Sequence, residues 1–171
     1  MKRIILAGGC FWGLEAYFQR VKGIENTKVG YIDGLSDNPT YNEVCNGSGH
    51  AEVVLLDFDE SVVSLEIILK HFFRIIDPTQ INRQGNDIGM QYRNAIYYYD
   101  EEDKKVSESF IESVRKNYKN QIQTQILLAS TFYDAETYHQ KYLDKNPSGY
   151  CHINLNLLKE EIEWLELEKI S

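Results

Sequence analysis

The chain predicts an α+β fold, because its apolar residues change period in a repeated order of strand, helix, strand, and then the same again. Residues 3–7 are a short apolar run ending at Gly8-Gly9, the pattern of a buried strand. From Leu14 the spacing changes, and Leu14, Phe18 and Val21 fall on one helical face. A strand follows over 26–32, where Thr27, Val29 and Tyr31 alternate. Residues 33–50 are polar and rich in Gly and Asn, which reads as a long functional loop. Ala51 to Phe58 is nearly continuous apolar sequence, so this strand is expected to be covered on both faces. Ser61 can cap a helix whose Leu65, Ile68, Leu69 and Phe72 form a stripe. A second long loop runs from Asp77 to Tyr92, and Asn94–Tyr99 reads as a strand. Residues 101–118 are helical, with Val106, Phe110, Val114 and Tyr118 four apart. A strand near 123–129 and a helix from Asp134 to Leu143 follow. The loop Lys145–His152 then leads into a last helix carrying Leu155, Leu158, Ile162 and Leu165. The expected architecture is a split βαβ core (a ferredoxin-like plait) with a mixed sheet, long functional loops and C-terminal helices.

No linker, repeat or low-complexity segment divides the 171 residues, so 1–171 reads as a single catalytic domain. Acidic residues (26) outnumber Lys plus Arg (18), and the formal charge of −8 argues against nucleic acid as a partner. Met1-Lys2-Arg3 and the small residues before Cys10 faintly imitate a lipoprotein signal. The apolar stretch between them, Ile4 to Ala7, is far shorter than the roughly 7–15 residues a signal needs. No apolar run reaches the roughly 20 residues that span a bilayer. The expectation is a cytoplasmic protein, monomeric and without membrane attachment. Three widely spaced cysteines (Cys10, Cys45 and Cys151) are not a secreted disulfide framework. Without a Cys-x-x-Cys pair, and with four scattered His, no metal is expected.

Cys10 sits where a buried strand turns into a helix, with Gly8 and Gly9 allowing the turn. A thiol there meets the unpaired N–H groups of the helix start, which favours thiolate, the reactive form. Position alone leaves two readings, a small core residue and a nucleophile. Phe11 and Trp12, two large aromatics in the turn itself, tip the balance by suggesting a small apolar pocket beside the sulfur.

The run Gly8-Gly9-Cys10-Phe11-Trp12-Gly13 resembles the active-site motif of the peptide methionine sulfoxide reductase A family. Residues 38–54 (NPTYNEVCNGSGHAEVV), 77–96 (DPTQINRQGNDIGMQYRNAI) and 132–151 (FYDAETYHQKYL to NPSGYC) are similar to its further blocks, in the same order. The resemblance implies that Cys10 attacks the sulfoxide sulfur of free or protein-bound methionine sulfoxide, in the S epimer. It implies that Phe11 and Trp12 hold the S-methyl group, and that Glu52, Tyr41 and Tyr92 surround the oxygen with Asp87 in their hydrogen-bond network. Glu52 stands in the apolar stretch 51–58, where desolvation would raise its pKa and let it donate a proton near neutral pH. Cys151, in a loop with Pro147 and Gly149, is implied to resolve the Cys10 sulfenic acid as a disulfide, which a thioredoxin-type reductant recycles. No cofactor is implied. Cys45 is read as non-catalytic and His139 as a structural hydrogen bonder, while His152 beside Cys151 is a possible influence on that thiol. The family often has Ser where Asn94 stands. Beyond Cys151 a Gly-rich tail with a further Cys, found in some members, is missing, which favours a two-cysteine cycle.

Two other classes remain open on the residues alone. One is another cysteine enzyme, a thiol peroxidase or an acyl transferase using His50 as base. The other is a binding module whose Phe11, Trp12 and loop tyrosines recognise methionine-rich peptides without chemistry.

Overall fold

The computed structural model describes residues 1–160. In chain order the strands and helices are β1 (Lys2–Ala7), α1 (Phe11–Phe18), β2 (Ile24–Ile32), α2 (Tyr41–Cys45), β3 (Ala51–Phe58), α3 (Leu65–Ile75), β4 (Arg83–Gln84), β5 (Asp87–Ile88), β6 (Ala95–Tyr98), α4 (Glu101–Val114), β7 (Gln125–Leu128), β8 (Tyr133–Asp134) and α5 (Tyr142–Lys145). Six strands form one sheet in the order β7-β6-β1-β3-β2-β8, and β4 pairs with β5 in a small hairpin. Every neighbour in the large sheet is antiparallel except β6 and β7. The sheet is therefore mixed, with β1 and β3 at its centre, and the class is α+β.

The alternation along the central strands divides the core. Ile4, Leu6, Val29, Val54, Leu56, Phe58 and Ile96 face α1, α3 and α4. Ile5, Ala7, Val53, Leu55, Ala95 and Tyr97 face the other way, towards Leu127, Ala129 and Phe132. This explains the unbroken apolar run at 51–58, because both faces of β3 are buried. Burial also decides the conformation of α3. Its Ile and Phe residues each lose a few tenths of a kcal/mol relative to Ala as helix formers. Burying Ile68, Leu69, Phe72 and Phe73 gains about 1.5–3 kcal/mol per side chain, so burial wins.

Several elements differ from the sequence reading, beginning with α2 inside the expected 33–50 loop and the β4–β5 hairpin inside the expected 77–92 loop. Ser61 does not cap α3, because its N–H and hydroxyl are both taken by Asp59 Oδ1 (2.9 and 2.6 Å). The cap is Ser64, whose hydroxyl accepts the Ile67 N–H at 3.2 Å. The helix over 101–118 ends at Val114 and passes into a 3₁₀ turn, Arg115–Asn117. The helix expected over 134–143 is absent. Tyr133 and Asp134 pair with β2 as an edge strand, Thr137–His139 form a 3₁₀ turn, and Lys141 adopts φ +54 before α5 begins. Side chains impose this path: the Gln140 amide bonds both backbone groups of Val29 (3.0 and 2.8 Å) and the carbonyl of Ala135 (3.0 Å). Leu155–Glu160 form a 3₁₀ turn, and Ile162 and Leu165 lie outside the described residues.

A buried carboxylate completes the anchoring of this segment. Glu15 of α1 is 2% exposed. Its oxygens accept the Lys141 N–H and the Thr27 hydroxyl, each at 2.7 Å, with the Lys141 ammonium 3.6 Å away. Glu15→Ala would leave these donors buried without an acceptor. We expect it to cost about 3 kcal/mol in urea unfolding. A loss below about 1 kcal/mol would show that the 135–145 segment is held by packing alone.

Candidate active site

The site is built on the turn from β1 into α1. Gly9 has φ +84, and a Cβ there would lie 2.9 Å from Gln84 Cβ and 3.0 Å from His152 Nε2, so both conformation and space call for glycine. Cys10 is the N-cap of α1 in extended conformation (φ −62, ψ 125) and makes no side-chain capping hydrogen bond, although the Trp12 and Gly13 N–H groups are near enough to lower its pKa. The helix start thus acts on the sulfur as expected, but it does not dominate. Burial pushes the Cys10 thiol well above its usual range, the Glu52 carboxylate adds to the shift, and the two N–H groups only partly oppose it. The net push at Cys10 is towards its thiol form.

Glu52 lies on β3, opposite Tyr31 on β2 and one residue from the Ala7–Val53 pair that carries β1 into the Cys10 turn. It is 1% exposed. Its Oε1 accepts the Phe11 N–H at 3.3 Å, while Oε2 has no partner among the described residues. Burial pushes its pKa up to about 8, with the Asp87 charge adding and the Phe11 N–H opposing. At neutral pH the group is mostly a carboxylic acid whose second oxygen is uncommitted.

Tyr41, at the start of α2, and Tyr92, in the Met90–Tyr92 turn, both approach this carboxyl. Burial, and next the charge of Glu52, raise both phenols above their usual pKa, so both keep their O–H. Asp87 is placed differently from the expectation. Its Oδ2 accepts the Tyr150 hydroxyl at 3.0 Å, and it acts on Glu52, Cys10 and Tyr92 through its charge.

The two aromatics of the turn separate in role. Phe11 is 1% exposed, with ring centroids 5.7 Å from Tyr31 and 5.1 Å from His139. Trp12 is only half-buried and is held at two points: its Nε1 donates to His139 Nδ1 at 3.0 Å, and its indole stacks on Tyr142 at 3.7 Å and 12°. Accepting at Nδ1 leaves the neutral His139 ring with its proton on Nε2. Burial lowers the pKa of His139 and keeps it neutral, against the opposing charge of Glu136.

Sequence reasoning missed Glu136, Tyr142 and Tyr150. Glu136 accepts the Tyr31 hydroxyl and the Tyr41 N–H, each at 2.9 Å, and so ties α2 to β2. Nothing in local spacing signals these contacts, although all three residues lie in the 132–151 block. His50, the base an acyl transferase would need, is committed elsewhere: Nε2 contacts the Ser36 carbonyl at 2.7 Å and the ring meets Tyr133 edge-on.

All three cysteines are free thiols. Cys151 Sγ donates to the Ile153 carbonyl at 3.2 Å and lies 3.3 Å from where a Cβ on Gly13 would stand, against the first turn of α1. Cys45 is exposed and near enough to the Tyr41 phenol to raise its pKa. Among the described residues no group of three or more His, Cys, Asp or Glu could hold a metal ion, and no helix is long and apolar enough to cross a membrane.

Comparison with known proteins matches this arrangement. Residues 2–169 match the family model described as peptide methionine sulfoxide reductase. A peptide methionine sulfoxide reductase MsrA of Clostridium botulinum (strain Okra / Type B1) is 54% identical over 157 residues, covering 91% of this chain and all of the relative. The crystal structure of reduced Mxr1 from Saccharomyces cerevisiae superposes with a TM-score of 0.85 at 38% identity, covering 90% of this chain and 91% of that one. Mxr1 in complex with Trx2 superposes with a TM-score of 0.60 at 28% identity, covering 82% and 84%. With its Cys10 turn, its buried Glu52 and a match along nearly its whole length, the chain belongs to the peptide methionine sulfoxide reductase family.

Proposed function

We propose that the protein reduces the S epimer of methionine sulfoxide, free or in proteins, through Cys10, and that Cys151 closes the cycle. One observation carries this reading: a buried, protonated Glu52, whose Oε2 has no partner among the described residues, within electrostatic reach of a half-buried Cys10 thiol. Sulfoxide oxygen is a poor leaving group and must be protonated as sulfur is attacked. Cys10 Sγ bonds to the substrate sulfur, Glu52 gives its proton to the oxygen, and the carboxylate collects the thiol proton of Cys10. The hydroxyl then passes to Cys10 Sγ as the substrate S–O bond and the new Sγ–S bond break, which releases the thioether, leaves a Cys10 sulfenic acid and finds Glu52 again protonated. Tyr41 and Tyr92 donate hydrogen bonds to the oxygen without changing charge. Trp12, fixed by His139 and Tyr142, and Phe11 beside it hold the methyl group. Asp87, bonded to Tyr150, borders the substrate.

Cys151 then attacks the sulfenic sulfur, water leaves, and the Cys10–Cys151 disulfide is reduced by a thioredoxin-type dithiol. The Mxr1 complex with Trx2 supports a reductant of that type. The chain acts as one catalytic domain, a reading supported by the single sheet that holds Glu52 and takes strands from residues 2–7 through 133–134. A dithiol reductant and free cysteines suit a cytoplasmic location.

Three outcomes test this reading. With resolved S and R sulfoxides of a blocked methionine and dithiothreitol, only the S form should yield thioether, because one chiral arrangement of methyl and oxygen fits the site; equal turnover would sink it. Glu52→Gln should slow thioether formation on the order of 10²–10⁴-fold. In wild type the acid form of Glu52 is present below its pKa and lost above it, so the rate of that step should fall as pH rises through about 8. A flat profile over that range, or a Glu52→Gln rate within about threefold of wild type, would move the proton elsewhere. Cys10→Ser should be inactive. Cys151→Ser should form about one thioether per enzyme and then stall with thioredoxin, while Cys45→Ser cycles. Peptide mapping that finds mainly a Cys10–Cys45 bridge would overturn the assignment of Cys151.

A further inference from the structure

His152 has no part in the chemistry described so far, yet its ring rests on the Cys10 turn. Its Nε2 lies 3.0 Å from the point a Cβ on Gly9 would occupy, and its Cε1 lies 3.3 Å from the equivalent point on Gly13. Cys151 Sγ is 3.3 Å from that same point on Gly13. The Cys151 sulfur and the imidazole edge are therefore no further apart than twice that distance. The Gly13 N–H is also near enough to Cys10 to lower its pKa. One residue without a side chain thus has the Cys151 sulfur and the imidazole against it and Cys10 within its electrostatic reach.

Both ring nitrogens of His152 are buried, and neither has a hydrogen-bond partner among the described residues. The Gly8 carbonyl and the Asp87 carboxylate are near enough to favour a proton on the ring, though the carbonyl is not aligned for a hydrogen bond. Burial is the larger influence and keeps the imidazole neutral. A buried polar nitrogen left unpaired calls for an explanation.

The second half of the cycle needs such a group. Cys151 Sγ donates to the Ile153 carbonyl at 3.2 Å, and its attack requires that proton to be removed, since a thiol is a far weaker nucleophile than a thiolate. The hydroxyl on the Cys10 sulfenic acid must leave as water, which takes a proton. We propose that His152 is a catalytic residue of disulfide formation, relaying the Cys151 thiol proton to the hydroxyl that leaves Cys10. The inference rests on the reductase cycle above. The Sγ–Sγ bond forms and the S–O bond of the sulfenic acid breaks. Cys151 sulfur is oxidised, Cys10 sulfur is reduced, and the transferred proton departs in the water, so no outside oxidant is required. Neutral imidazole suits the task because it accepts and returns a proton near neutral pH.

Rapid mixing with one equivalent of S-sulfoxide and no reductant separates the two steps, with thioether and remaining thiols measured in the same quenched samples. In wild type two thiols should disappear for each thioether formed. His152→Gln keeps bulk and polarity but accepts no proton. Its thioether should still appear, its disulfide should form on the order of 10²-fold more slowly, and dimedone should trap the lingering Cys10 sulfenic acid. Added imidazole should restore disulfide formation to His152→Gly. The proposal is overturned if His152→Gln closes its disulfide within about threefold of wild type. It is equally overturned if both steps slow alike, or if imidazole restores nothing, because the ring would then only prop the turn. A wild type that forms no thioether at all would overturn the reductase reading and this inference with it.

Discussion

The arrangement depends on one constraint: a carboxyl group buried against the turn that carries the nucleophile. The antiparallel register of β1 and β3 pairs Ala7 with Val53, so the residue before Val53 meets the chain just where β1 turns into α1. That residue is Glu52, and the contact is the 3.3 Å bond from the Phe11 N–H. Ionising a carboxyl at 1% exposure with a single donor is costly, so the group takes a proton instead. The same burial keeps Cys10 a thiol and both phenols protonated. A site of neutral donors is suited to a neutral sulfoxide, whose oxygen gains charge only as the thiol attacks.

The rest of the molecule keeps this pair dry and aligned. Glu136 fixes Tyr41 by holding the backbone at the start of α2. Gln140 and Glu15 fix the segment that presents His139 and Tyr142 to Trp12. These anchors are carboxylates and an amide bonded to backbone groups, and each spans most of the chain. Because they act on main chain, they set the path of the 135–145 segment irrespective of its own preferences.

That distinction decides what the sequence could reveal. The strands β1, β2, β3, β6 and β7 and the α3 and α4 helices are legible because their apolar runs or periods survive in a single sequence, whereas the two-residue strands β4, β5 and β8 are too short to leave one. Glu52 is legible because it stands in the apolar stretch 51–58 and within a block that resembles the family's. The helix expected over 134–143 is absent because its apparent pattern is overridden by Gln140 reaching out to β2 and Glu15 reaching in from α1. Ser61 and Ser64 are equally good caps by type, and only Asp59 separates them. At Cys10 the helix start is visible in the pattern, whereas the burial that pushes the thiol pKa upward is not. Glu136, Tyr142 and Tyr150 carry no local signature, since their partners lie far away along the chain.

The central claim is that Glu52 is a protonated acid at neutral pH, and infrared spectroscopy reads this directly. The carbonyl stretch of a protonated carboxyl is resolved by subtracting the spectrum of Glu52→Gln from that of wild type. We expect a band for one buried protonated carboxyl in the wild type at pH 7, fading as pH rises through about 8. A difference spectrum carrying only the bands of an ionised carboxylate at pH 7 would contradict the account.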